Sequence, residues 1–128
     1  MTEEIRLVIP SQDDFWPIAH LVTGGLASRL DLTYDQLEDL QVAIEALLAL
    51  RDDGEDVVIE LGVGEGGMRV SVGPLPAKAL RGLDEEQGSL GLRRVLETVC
   101  DTVERDERSD GVWVELTKRA PAAAEAGA

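Results

Sequence analysis

Apolar residues recur along the chain with two different periods, and each period predicts its own kind of element. The opening "EIRLVIP" reads as a strand that stops at Pro10, because proline cannot donate to a ladder. From there the spacing turns helical. Phe15, Ile18, Leu21, Val22, Leu26 and Leu30 form a stripe through "SQDDFWPIAHLVTGGLASRL", the expected buried face of a helix. Ser11 is its expected N-cap, with Asp13 and Asp14 favourable in the first turn. Gly24-Gly25 weakens this helix and permits a close approach, read as tight packing against a neighbouring element.

"LTYDQLEDLQVAIEALLALRDDG" is the cleanest helical text. Thr33 followed by Gln36 predicts a capping box, and Gly54 a stop. Leu37, Leu40, Ile44, Leu47 and Leu48 line one face, and Ala43, Ala46 and Ala49 widen it, so much of the helix should be buried. Next, "DVVIELGV", "GEGG" and "MRVSVG" predict a β-hairpin. Val57, Ile59 and Leu61 alternate with Val58 and Glu60, and Met68, Val70 and Val72 alternate with Arg69 and Ser71. After the loop-like "PLPAKALRGLDEEQG", the text "SLGLRRVLETVCDTV" predicts a helix with Leu92, Val95, Leu96 and Val99 inward. "CDTVERDE" and "GVWVELTKR" then form a second strand pair, joined around Ser109-Asp110-Gly111.

The order strand, helix, helix, hairpin, loop, helix, hairpin predicts an α+β fold. It should be a two-layer α/β sandwich of mostly antiparallel sheet with helices on one face. Residues 1–118 make one domain, and the tail at 119–128, without core-forming residues, is expected to be disordered.

Charge narrows the function. The chain carries 26 Asp and Glu against 12 Lys and Arg, a formal net charge of −14. Such a surface repels phosphate backbones and anionic lipid and attracts basic protein surfaces, so neither nucleic acid nor membrane is an expected partner. The single cysteine, Cys100, excludes an internal disulfide and fits a reducing compartment. With no apolar run long enough to span a bilayer and an acidic "TEE" after Met1, the expected location is the cytoplasm.

Few residues suggest chemistry. Glu45, within the apolar "QVAIEALLAL", is either a working base facing a cleft or the polar rim of a core helix beside Gln41 and Arg51; the pattern alone favours the rim. "GVGEGG" has the look of a phosphate-cradling loop, but Met68 begins a strand and no Lys-Ser/Thr follows, so a hairpin turn is the reading. In "EEQGSLGLRR", glycines leading into a helix N-terminus could bind phosphate. His20 has no partner at metal-ligand spacing, and both it and Cys100 are read as packing residues. The acid pairs Asp13-Asp14, Asp52-Asp53 and Glu85-Glu86 read as caps and solvated loops.

Three texts together carry a resemblance. "LTYDQLEDLQVAIEALLAL", "MRVSVG" and "LRRVLETVCDTVERDERSDGVWVELTKR" are similar, in that order, to segments of the anti-sigma factor / serine-protein kinase family of the GHKL (histidine-kinase-like) ATPases. They match that family's "lAv-E-A-x-x-N" helix, the strand before its Asp-x-Gly-x-Gly box, and its closing helix with charged hairpin. The likeness runs from about Glu4 to Lys118. It implies a GHKL ATPase-like fold and a general base at Glu45. The Asn that helps hold Mg²⁺ would fall at Ala49, whose methyl coordinates nothing. The Asp that contacts adenine would fall at about Gly73, and Pro74, Leu75 and Pro76 stand where the box's glycines belong. The later glycine box is expected near Leu90 and Leu92, whereas the glycines are Gly88 and Gly91, and the register stays open.

Damage to the metal ligand, the adenine contact and the phosphate loop together implies a degenerate relative that works by protein–protein binding. Its expected partner is a sigma factor, an anti-anti-sigma (STAS-type) protein, or both, with a homodimer formed through the first helix. No cofactor and no metal is expected on this reading. An active serine kinase using ATP and Mg²⁺ on an anti-anti-sigma substrate, with Glu45 as base, is the alternative, and an accessory dimerisation domain without a sigma partner is the second.

Overall fold

The computed structural model describes residues 3–10, 15–50, 55–64, 66–76 and 92–119. The elements are β1 (Glu3–Ile9), α1 (Trp16–Arg29), α2 (Tyr34–Leu48), β2 (Val57–Gly64), β3 (Gly67–Leu75), α3 (Leu92–Val99), β4 (Thr102–Arg108) and β5 (Gly111–Arg119). The strands form one antiparallel sheet in the order β1-β2-β3-β5-β4, which bears out the expected α+β architecture. Strand β5 runs to Arg119. The tail beyond it, the 77–91 segment, Gly54 and Arg51 lie outside the described residues.

One face of the sheet is apolar by alternation. Ile9, Val57, Ile59, Leu61, Val70, Val72, Val114 and Leu116 are buried there against Leu40, Ile44, Leu47 and Leu48 of α2. Helix α2 starts as expected: Thr33 Oγ1 accepts from Gln36 N at 3.1 Å, and Thr33 N donates to Gln36 Oε1 at 2.9 Å. It stops at Leu48, earlier than Gly54 suggested, because Leu50 N turns back to Leu47 O at 3.0 Å and tightens the last turn. Lys118, at the end of β5, is buried and ties two helices to the sheet. Its Nζ donates to Asp39 Oδ2 of α2 at 3.1 Å and to Val99 O of α3 at 2.8 Å.

Helix α1 departs from the sequence expectation twice. It begins at Trp16, with Phe15 at the N-cap position, no side-chain cap and Pro17 in its first turn. The expected cap Ser11 and the acids Asp13 and Asp14 lie outside the described residues. Its buried residues are Ala19, Thr23, Leu26 and Ala27, whereas Phe15, Ile18 and Leu21 are exposed, Leu21 by 76%. Thr23 tolerates burial because its hydroxyl donates to Ala19 O at 2.7 Å. The stripe is split: Leu26 is buried and Val22 and Leu30 pack against the core, while Phe15, Ile18 and Leu21 are left outside. Val95 of α3, expected inside, is likewise exposed, while Leu96 takes the core position.

The opposite face of the sheet carries no helix among the described residues, yet Trp113 on it is only 1% exposed. Its ring lies against Gly73 of the neighbouring strand, where an added Cβ would stand 2.5 Å from Trp113 Cγ and Cδ2. The Arg108 guanidinium stacks 4.0 Å from the ring centroid, and Trp113 Nε1 donates to Asp110 Oδ1 at 2.8 Å. Arg108 then reaches Asp106 at 2.8 Å and Glu60 at 2.9 Å, and these two carboxylates hold its pKa above the ordinary guanidinium value against the opposing effect of burial.

Candidate functional site

Helix α2 sets the geometry of the candidate site. Its buried positions Leu40, Ala43, Ile44, Leu47 and Leu48 face the sheet, which turns Gln41, Glu45 and Ala49 to the opposite side at intervals of one turn. Glu45 is 51% exposed and points at α1, where His20 Nε2 lies 3.0 Å from its Oε1. In this contact an ionised carboxylate accepts, and the imidazole form with a proton on Nε2 donates. Nδ1 of the same ring is buried and has no hydrogen-bond partner.

The pairing corrects the reading of His20 as a packing residue. A separation of 25 residues carries no local signal, and only the docking of α1 on α2 brings the two side chains together. Cys100, by contrast, is buried as expected, and desolvation pushes its thiol from 9.0 up to about 11, against the attraction of Lys118. A thiol so held is a poor nucleophile.

The other candidate residues do not join Glu45. Ala49 is the C-cap of α2, exposed one turn beyond Glu45 and unable to ligate a metal. Gly73 lies on the far side of the sheet: it is in register with Val58, whose neighbours Val57 and Ile59 point to the core, and it faces Trp113. A carboxylate at position 73 would therefore point away from Glu45. Gly88 and Gly91 lie outside the described residues. Among the described residues no three His, Cys, Asp or Glu side chains gather as a possible metal set, and no helix is long and apolar enough to cross a membrane. Among the described residues, Ala49 and Gly73 thus place no ligand beside Glu45. What the arrangement offers is a carboxylate tethered to an imidazole at a helix–helix junction.

Comparison with known proteins bears on this geometry. The chain is 31% identical to "Serine-protein kinase RsbW" of Bacillus subtilis (strain 168) over an alignment of 138 residues, covering 89% of this chain and 84% of the relative. Proteins of the same name from Halalkalibacterium halodurans and Bacillus velezensis are also 31% identical, covering 91% and 89% of this chain and 83% and 84% of their own. No family model matches the chain.

Proposed function

This chain belongs to the RsbW serine-protein kinase family, and from that premise we propose that it is an anti-sigma-type regulator acting by protein–protein contact without hydrolysing ATP. Its partner is a sigma factor, an anti-anti-sigma (STAS-type) protein, or both in exchange. The observation that carries this reading is the state of α2. Glu45, where the family's base would stand, is held by His20, and the position one turn on is the methyl of Ala49. A base without its metal-binding neighbour has no bound nucleotide on which to act.

The net charge of −14 supports the partner class, since a DNA-binding protein presents a basic surface to such a molecule. The exposed face of α1 supports a homodimer. Ile18, Leu21 and Gly25 recur there at helical spacing, and among the described residues no other element comes within 4 Å of a Cβ built on Gly25. The close approach expected of the Gly24-Gly25 pair is met at Gly24, where an added Cβ would lie 3.8 Å from Leu37 Cδ2, and is left open at Gly25 for another molecule.

Titration of the full chain with labelled ATP and Mg²⁺, followed by transfer assays on the anti-anti-sigma proteins of its host, tests the reading. No saturable binding is expected, while a sigma factor or anti-anti-sigma protein is expected to co-purify. Micromolar ATP binding with phosphate transfer to a serine would establish an active kinase, which the relatives' name also describes. Co-purification of neither partner would leave the accessory dimerisation domain.

A further inference from the structure

The "GVGEGG" text is not a P-loop, but its glycines floor a trough of about 520 Å³ on the face of the sheet opposite the described helices. That volume lies within the range of small-molecule clefts. Gly66, with φ at 94°, is needed by the two-residue turn between β2 and β3. Gly62 is different. It sits within β2, paired with Arg69, in a position any β-branched residue could fill, and strand glycine weakens a sheet. What glycine provides there is space. A Cβ at Gly62 would lie 3.6 Å from Arg69 Nη2, so the guanidinium spreads over the bare backbone.

Two cations border this space. Arg69 pairs with Thr117 and Gly67 with Arg119, which makes Arg69 and Arg119 diagonal neighbours on the same face. Neither guanidinium makes an ion pair among the described residues, although Glu115 also lines the trough. In a chain of net charge −14, two adjacent arginines without an ion pair among the described residues concentrate positive charge along one edge of a trough that Glu115 also lines. They repel one another, and a doubly charged anion bridging them would remove that repulsion through charge-assisted hydrogen bonds.

We propose that this glycine-floored trough binds a small phosphate monoester. Its phosphate bridges Arg69 and Arg119, and its hydroxyl-bearing body lies over Gly62, Gly64 and Gly67 towards Thr117 and Glu115. The site is on the opposite face of the sheet from Glu45 and does not depend on the reading of the helix face.

The test is an amide-resolved NMR titration of the full chain at constant ionic strength with glycerol phosphate, inorganic phosphate, glycerol and hexaglutamate. Glycerol phosphate is expected to shift the Gly62, Gly64, Gly66 and Gly67 amides and the Arg69 Nε–H saturably, with a Kd below about 5 mM. Arg69→Gln and Arg119→Gln should each weaken it at least about tenfold. Gly62→Val, which fills the floor and favours a strand, should abolish saturation while leaving the helix amides in place. Absence of saturation, or indifference to these substitutions, overturns the proposal. Inorganic phosphate binding as tightly as the ester overturns the monoester assignment, and hexaglutamate binding in place of both would make the trough a protein-docking surface.

Discussion

Gly73 lets the far face of the sheet be tested directly. A Cβ there would lie 2.5 Å from two atoms of the Trp113 ring and 3.0 Å from a third, far inside contact distance. The ring cannot simply slide, because Arg108 stacks on it at 4.0 Å and its Nε1 is tied to Asp110 at 2.8 Å. Gly73→Ala must therefore either shift backbone between β3 and β5 or expel the indole. Overpacking costs about 1–3 kcal/mol, and losing a buried Trp about 3–5 kcal/mol. Alanine's lower unfolded-state entropy offsets about 0.5 kcal/mol. A net destabilisation of about 2–4 kcal/mol is expected, which for a chain of 128 residues lowers Tm by roughly 6–20 °C. Gly73→Asp, which would place the family's acidic residue at this position, should cost at least as much and restore no nucleotide binding. Urea unfolding followed by circular dichroism measures the cost, and the Trp113 indole N–H resonance reports whether the ring has moved. In a Trp113→Val background Gly73→Ala should cost under about 1 kcal/mol, since the obstacle is gone. Stability within about 0.5 kcal/mol of the parent, with an unmoved indole resonance, would refute the clash.

Other expectations follow from single contacts. Glu45→Gln should leave affinity for the protein partner within about 0.5 kcal/mol, by calorimetric titration, as for a surface change; a loss of several kcal/mol would make Glu45 a working residue. A double-mutant cycle of Glu45→Gln with His20→Ala should give a coupling below about 1 kcal/mol by urea unfolding, because Glu45 is half exposed. Lys118→Ala removes the donor shared by Asp39 and Val99 O and should destabilise the fold by about 2–3 kcal/mol, with Lys118→Met milder because it keeps the packing. Cys100, whose folded pKa is raised, contributes stability that is complete below about pH 9 and falls as the pH rises to about 11, where the unfolded thiol ionises first. Native protein at pH 8 should accordingly resist Ellman's reagent until denaturant is added. Leu21→Glu on the open face of α1 should leave the fold intact and abolish the proposed self-association in light scattering; a parent chain that is already a monomer would refute it.

Local rules were sufficient wherever the controlling interaction was local. Thr33 and Gln36 stand three apart, so the capping box of α2 was visible in the text, and the alternation in "DVVIELGV" and "MRVSVG" specified which side of each strand meets the core. Tertiary structure decided the rest. The apolar stripe of α1 correctly predicted inward packing of Val22, Leu26 and Leu30 but not the exposure of Ile18 and Leu21. The helix also docks through Ala19, Thr23 and Ala27, whose small side chains allow closer approach than periodicity alone can register. His20 meets Glu45, Lys118 meets Asp39 and Trp113 covers Gly73 only after elements far apart in the chain have packed. The text supplied each partner's chemistry, but distance in space, on which every hydrogen bond and clash depends, exists only in the folded chain.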